Sequence, residues 1–411
     1  MRVWKEPEVQ DTLSEEVEEK VKKIIEEVRE RGDEAILDFT REFDGVELEN
    51  LEVRREDRER AEEILEEREK EAIRELKERI EAFSQKEREL IRDFAFGKNI
   101  ILKKRWLPLD RVGIYVPGGR FPLVSSLLMA GVPARVAGVR DLIVSTPPDR
   151  EGRVHPAILY ASNLLGVEGV FRMGGAQAIA GMALGTDTIP RVDKVVGPGN
   201  IFVTTAKKLL YGRVGVDMLA GPSEVVILAD EGMPPPWVEK SLLAQLEHGE
   251  GSRAILVTPS SSLARSIMDN MENLSGDRRN LWEKGGGVYE VENMLEGCEL
   301  INRLAPEHLI LGIKDPQEVM ENIHHAGTIF LGYITPVTAG DLGVGTNHIL
   351  PTSGTARFSS PLGVMDFLKG MNLVAMNKKG LEEIYPLVQV MCELEGLKIH
   401  REEVEVRKNE E

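Results

Sequence analysis

The rhythm of apolar and polar positions changes near residue 105. Between residues 13 and 93, Val17, Val21, Ile24, Ile25 and Val28 recur at helical spacing among Glu, Arg and Lys, which predicts amphipathic helices with a narrow core stripe and solvated faces. From Val112 onward, short β-branched runs alternate with helical segments, the pattern of parallel α/β structure. The first set predicts strands at 113–116, 142–145, 169–172 and 194–196, with helices at 123–130, 156–165, 176–184 and 201–210 between them. A second set of strands at 225–228, 254–257, 309–311 and 328–331 fits a second α/β domain better than an extension of the first. After Tyr333 the chain runs irregularly through Gly340-Asp341-Leu342-Gly343-Val344-Gly345-Thr346-Asn347-His348, passes Pro351 and Pro361, and regains helical patterning towards the C-terminus. So long a connection in a compact protein is more often functional than incidental.

Composition narrows the class. A chain of 411 residues exceeds a single compact core and predicts two or three domains. The two cysteines, Cys298 and Cys392, are too few for a disulfide scaffold and point to a reducing compartment. Met1-Arg2-Val3-Trp4-Lys5-Glu6 lacks the apolar core of a signal peptide, and no run approaches the length of a membrane span, so a cytoplasmic protein without a membrane partner is expected. The formal charge of −18 argues against general nucleic-acid binding, which needs basic patches. It leaves room for a dinucleotide, whose phosphates backbone N–H groups at helix starts can hold. Charged residues make up 30% of the chain, enough for surface ion-pair networks.

The candidate chemistry begins at Gln245 and His248. Three residues apart, they share one face of a helix that stops at Gly249. Such a pair cannot hold a metal tightly alone, so further donors are required. Asp366, in Ser359-Ser360-Pro361-Leu362-Gly363-Val364-Met365-Asp366, and His400, in Glu395-Gly396-Leu397-Lys398-Ile399-His400-Arg401, are the candidates. Between them Pro306-Glu307-His308 places an acid beside an imidazole whose ordinary pKa suits proton transfer; alone, it would read as a surface Glu and a half-buried His at a strand start. Neighbours on a strand face opposite ways, so both reaching one pocket requires irregular backbone, which Pro306 makes plausible. The other histidines have structural readings: His155 precedes a helix start, His324 and His325 sit at a helix end, and His348 lies in the long connection.

The turns Pro117-Gly118-Gly119 and Gly197-Pro198-Gly199-Asn200 let backbone approach a ligand closely, although ordinary turn chemistry accounts for each singly. No Gly-x-Gly-x-x-Gly turn is followed by an acid about twenty residues on, so the residues alone do not give a standard dinucleotide fingerprint.

In order from about residue 105 to the C-terminus, these strings join Val112-Gly113-Ile114-Tyr115-Val116, Gly174-Gly175-Ala176-Gln177-Ala178-Ile179-Ala180, Ala220-Gly221-Pro222-Ser223-Glu224 and Gly345-Thr346-Asn347-His348-Ile349-Leu350-Pro351-Thr352. Together they resemble the histidinol dehydrogenase family, zinc enzymes that oxidise L-histidinol to L-histidine in two NAD-dependent steps, the last of histidine biosynthesis. The resemblance implies two Rossmann-like, aldehyde-dehydrogenase-like α/β domains with N-terminal helices and a C-terminal helical tail. The expected division is an N-terminal helical region at 1–105, an NAD-binding domain at 106–222, a zinc, substrate and catalytic domain at 223–365, and a tail at 366–411 exchanged within a homodimer. It implies NAD contacts at Tyr115, Gln177 and Asn200, zinc ligands Gln245, His248, Asp366 and His400, and a catalytic pair Glu307 and His308. Substrate contacts would come from Ser223, Gln245, His248, His308, Asp366, Glu395 and His400, with His400 and Glu395 supplied by the partner subunit. The chain departs from the family where a Glu and a Tyr are usual, carrying Val337 and Leu342.

Other readings stay open on the residues alone. Asn200 could cap the helix at Ile201, and Tyr115 could fill a crevice. A zinc hydrolase could use Glu307 and His308 without NAD, a related NAD-dependent dehydrogenase could act on a different amino alcohol, and a silent binding protein could keep the fold. A thiohemiacetal mechanism would need Cys298 or Cys392 as nucleophile, but both lie in apolar helical patterns where a small buried hydrophobe is expected.

Overall fold

The computed structural model describes residues 1–8, 15–118, 122–249 and 251–409. Residues 13 and 14 of the first amphipathic stretch, Gly119 of the first Gly/Pro turn and residues 410–411 of the tail lie outside these.

The charged N-terminal stretch folds as four helices, Glu15–Arg31, Asp33–Phe43, Arg55–Ile64 and Glu67–Leu90. Val21, Ile24, Ile25 and Val28 are the buried stripe of the first, and they pack with Ile179, Met182 and Val203 of the first α/β unit. Ion pairs such as Lys20–Glu16 and Lys77–Glu81, four residues apart, run along the outer faces, where each contributes little.

The first α/β unit is a five-stranded parallel sheet in spatial order Gly169–Arg172, Asp141–Thr146, Arg111–Tyr115, Lys194–Val196, Gly215–Val216. In chain order this is 3-2-1-4-5, so the winding reverses between the strands ending at Tyr115 and Val196, the switch point where open α/β sheets bind ligands. The second unit repeats the order with Gly286–Glu290, Arg253–Thr258, Glu224–Ala229, His308–Gly312 and Thr328–Leu331, all parallel. Their near-continuous apolar runs, such as Val225-Val226-Ile227-Leu228, follow from burial on both faces.

Six strands among the described residues were not legible in the pattern, the short Gly215–Val216 being one. Arg2–Lys5 runs from the N-terminus to pair antiparallel with Gly286–Glu290, at the edge of the second sheet rather than among the helices. Gly286–Glu290 itself begins with two glycines, a turn signal that masks a strand. Leu368–Met376 pairs antiparallel with Ile100–Pro108, which also carries Phe94–Phe96. This ribbon is largely exposed on both faces, so it shows no alternation, and the compositional change at 105 falls inside one of its strands. Two helices, Lys378–Glu395 and Lys398–Asn409, complete the tail. No helix among the described residues is long and apolar enough to cross a membrane.

Candidate functional site

A cleft of about 2080 Å³ opens at the carboxyl ends of the first sheet, and Tyr115, Gln177 and Asn200 all line it. Asn200 caps the helix Ile201–Leu210, its Oδ1 accepting from the amides of Phe202 at 3.0 Å and Val203 at 3.2 Å. Tyr115 is buried, and its hydroxyl accepts from the Gly175 amide at 3.2 Å. Burial pushes its phenol up to about 12, so it is a neutral hydrogen-bonding group. Gln177 is buried with Oε1 lacking a hydrogen-bond partner among the described residues, an acceptor suited to a ligand donor.

A buried ion pair that the residue pattern did not reveal sets the loop between Tyr115 and Asn200. Lys207 and Asp217 meet at 2.7 Å, Asp217 Oδ2 accepts from the Gly197 amide at 2.7 Å, and Lys207 donates to the Gly197 carbonyl. Gly197 has φ +115°, and a Cβ there would lie 2.0 Å from the Tyr115 carbonyl oxygen, so only glycine allows the loop to lie against that strand.

The same helix leads to the second half of the site, where Thr204 donates to the Ala220 carbonyl at 2.8 Å, three residues before Ser223. There, at the amino ends of the central strands of the second sheet, five side chains form a continuous chain. Gln245 Nε2 donates to Ser223 Oγ at 2.7 Å, and Ser223 donates to Glu307 Oε2 at 2.6 Å. Glu307 lies 3.5 Å from His308 Nδ1, and His308 Nε2 lies 3.4 Å from Asp341 Oδ1. Glu307 and His308 are both buried, and the backbone irregularity that lets adjacent residues reach one pocket is Ala305, at φ 48°, followed by Pro306. His308 Nδ1 is fixed against the Glu224 carbonyl at 3.2 Å, while Nε2 is buried with no hydrogen bond among the described residues.

His308 was expected to titrate near neutrality. Burial does oppose its charge, but Asp341 and Glu307 outweigh burial and raise it to about 10, so the imidazolium is its resting form. Glu224 beside it is pushed up to about 7 by burial and by the Glu307 charge. The long connection closes over this pocket: His348, held neutral by burial, contacts the Asp341 carbonyl at 3.0 Å and Ser126 Oγ at 3.2 Å, and the Ser353 amide donates to Glu224 at 3.1 Å. Of the two departures from the family pattern, Val337 packs on the core of the second unit and Leu342 is exposed.

The four residues read as zinc ligands are not brought together. The helix carrying Gln245 ends at Leu246, so Gln245 is buried while His248 sits exposed in the turn beyond. Asp366 faces the first unit instead, ion-paired with Lys194 at 3.1 Å and accepting the Gly363 amide at 3.0 Å. His400 and Glu395 are exposed on the tail. Among the described residues no group of three or more His, Cys, Asp or Glu side chains could hold a metal ion. Asp341, not singled out from the sequence, is the carboxylate that does join the buried chain, and only its place directly after Gly340 in the long connection hinted at it. Gln245 uses its amide N–H on Ser223, which leaves its oxygen as the end a cation would take. The donors of one chain thus fit a metal only in part, with Gln245 and Asp341 at the two ends of the buried chain and His248 exposed outside it. Cys298 and Cys392 are both buried and unpaired, and burial pushes the Cys298 thiol up, which suits a core residue.

Comparison with known proteins agrees on one family. The family model for histidinol dehydrogenase matches residues 8–408. A histidinol dehydrogenase from Synechococcus sp. is 44% identical over 400 residues, covering 95% of this chain and 92% of its own. One from Aquifex aeolicus is 43% identical over 408 residues, covering 97% of this chain and 94% of its own. The crystal structure of histidinol dehydrogenase from Elizabethkingia anophelis superposes with a TM-score of 0.91 at 33% identity, covering 98% of this chain and 94% of that one.

Proposed function

The chain belongs to the histidinol dehydrogenase family, and from that membership we propose that it oxidises L-histidinol through L-histidinal to L-histidine with two equivalents of NAD and with zinc, as the last step of histidine biosynthesis. The observation that carries the reading is the buried chain Gln245–Ser223–Glu307–His308–Asp341. When bound, NAD supplies the electron acceptor for each oxidation, and zinc supplies a Lewis acid for the substrate's amine and imidazole nitrogens. Tyr115, Gln177 and Asn200 would hold NAD. Gln245, His248 and Asp341 would hold zinc together with His400 of a second copy, Asp341 taking the place first given to Asp366.

The protein groups supply the proton chemistry. Oxidation of the alcohol requires removal of its O–H proton, and His308 Nε2, the unbonded end of a ring fixed through Nδ1, is the atom placed to take it. Asp341 keeps that atom protonated at rest, so engaging Asp341 elsewhere frees it for this role. The aldehyde must then be hydrated, and Glu307, a carboxylate oriented by the Ser223 hydroxyl and the Glu224 amide, is placed to activate water. Ser223 is thereby a positioning group whose proton is committed to Glu307, and it remains available to substrate through its oxygen.

The site also argues for two subunits. The tail that bears His400 and Glu395 exposes Leu387, Val390, Met391, Leu394, Ile399 and Val406, an apolar face that a second copy would cover. We read the assembly as a homodimer in which each tail completes the partner's site, in the cytoplasm, where two unpaired cysteines are stable.

The test is to follow NADH formation from L-histidinol and NAD while quantifying histidine, before and after chelation and zinc replacement. About two NADH per histidine, lost on chelation and restored by zinc, is the expected result. Absence of NADH would point to a relative that acts on another amino alcohol, NADH without histidine would sink the second oxidation, and amide or ester cleavage without NADH would replace the reading with a hydrolase.

A further inference from the structure

The long connection passes from the second unit to the first at Asn347 and His348. Before them, Val337 packs on the core of the second unit and Asp341 joins the buried chain. After them, Ile349, Leu362, Val364 and Phe367 pack with Leu127 and Leu128 in the core of the first. The first unit meets this crossing with one face of the helix Val124–Ala137. Ser126, buried near the helix start, turns its hydroxyl to His348 Nε2 at 3.2 Å. One turn later, the Met129 carbonyl receives no donor from the position four residues on, because that position is Pro133, which carries no N–H. Asn347 Nδ2 donates to it instead at 2.7 Å, while Asn347 Oδ1 accepts from the Ile349 amide at 2.9 Å. A proline that would ordinarily cost a helix a hydrogen bond thus opens the carbonyl onto which the connection docks.

The dock ends on Asp341. His348 Nδ1 lies 3.0 Å from the Asp341 carbonyl, which can only accept, so in the neutral ring Nδ1 carries the proton and Nε2 accepts from the Ser126 hydroxyl. Asp341 is next to last in the helix Val337–Leu342, where backbone carbonyls lack helical donors, and the imidazole caps one of them. We propose that Ser126 is a positioning residue supplied by the first unit to the site of the second. Acting through His348, in a crossing docked by Asn347 on Met129, it holds Asp341 in the pocket beside His308 Nε2, where Asp341 would bind zinc. The inference rests on the reading of Asp341 as a zinc ligand and names what keeps it in place. An outer group of this kind fixes the tautomer and direction of the group it bonds, so the carboxylate is already aimed when the metal arrives.

The experiment measures the zinc dissociation constant, by competition with a chelator, and the melting temperature of the zinc-free protein for the full-length wild type, Ser126→Ala, Ser126→Thr, Asn347→Ala and Asp341→Asn. Ser126→Ala and Asn347→Ala should each weaken zinc binding about tenfold or more, the usual loss when a group behind a metal ligand is removed. Ser126→Thr keeps the hydroxyl and should stay within about threefold of wild type. Adding Ser126→Ala to Asp341→Asn should weaken zinc no further than Asp341→Asn alone, because the effect of Ser126 passes through that residue. A group with only a packing role would lower the melting temperature and leave zinc affinity where it was. That result for both Ser126→Ala and Asn347→Ala, with Asp341→Asn still losing zinc, would overturn the inference and leave the reading of Asp341 standing. So would a loss in Ser126→Ala that adds in full to the loss in Asp341→Asn. Unchanged zinc affinity in Asp341→Asn would overturn the reading of Asp341 and this inference together.

Discussion

The backbone N–H of Glu224 donates to Oε2 of Glu307 at 2.7 Å, so two carboxylates occupy one buried pocket in front of the second sheet. Glu307 takes the hydrogen bonds from Ser223 and from this amide, while Glu224 takes the Ser353 amide on Oε1 and bears the cost of burial and of its neighbour's charge. The division gives the better hydrogen-bonded carboxylate to Glu307, the residue proposed to activate water.

The pair makes a pH prediction. Burial and then Glu307 raise the Glu224 carboxyl from 4.5 to about 7, so between those values the folded protein holds a proton that the unfolded chain releases. The contribution to stability is present below the unfolded value and is lost as pH rises through about 7. Glu224→Gln keeps the acceptor for Ser353 without the titration. Urea unfolding of both proteins at pH 5 and pH 8 should show the variant gaining on wild type at the higher pH. A constant difference would show that Glu224 does not titrate in this range.

Glu307→Gln is the sharper test of hydration. The amide oxygen can keep both hydrogen bonds, so the main loss is the charge that activates water. Oxidation of supplied L-histidinal should fall by about 10²–10⁴, the usual range for a lost general base, and L-histidinol oxidation should fall less. Equal losses in the two half-reactions would remove the special role of Glu307 in the aldehyde step.

The alternating pattern made most of both α/β sheets legible because their strands are buried runs such as Val225–Leu228, and the in-order motifs made the catalytic pair and cleft residues nameable. The rest was hidden for physical reasons. The ribbon of 94–108 and 368–376 is solvated on both sides and has no period. The clamp of Lys207 and Asp217 joins a helix to a loop, which spacing cannot report. The choice between Asp341 and Asp366 depends on how the long connection folds back, and that is decided by tertiary contacts: His348 on the Asp341 carbonyl draws one carboxylate to the pocket, and Lys194 holds the other away.

That choice is measurable as bound zinc. Asp341→Asn should lower the zinc content per subunit after dialysis, whereas Asp366→Asn should leave zinc in place and cost on the order of 1 kcal/mol of stability through the partly buried Lys194 pair. Zinc loss from the Asp366 variant alone would restore Asp366 as the ligand.

The cysteines should be dispensable for both oxidations. Cys298 is buried against the Val319 carbonyl, with its thiol raised by burial, and Cys392 is buried in the tail helix. Cys298→Ala combined with Cys392→Ala should retain turnover within about twofold, with a modest loss of stability from the small cavities. Accumulation of aldehyde in the double variant would instead indicate a thiohemiacetal route.

The exposed tail leads to the most direct test of shared sites. In one chain His400 and Glu395 face solvent, on a segment whose apolar residues Leu387, Leu394 and Ile399 are also uncovered, while Glu307 and His308 are sealed in the second unit. If the tail completes its own subunit's site, Glu307→Ala and His400→Ala remain inactive when the two proteins are mixed, because every site carries one defect. If it completes the partner's, a mixed dimer places both defects in one site and none in the other, so activity returns on mixing after mild dissociation. Recovery should follow the fraction of mixed dimers measured by native mass spectrometry, and its absence when mixed dimers have demonstrably formed would return His400 to its own subunit.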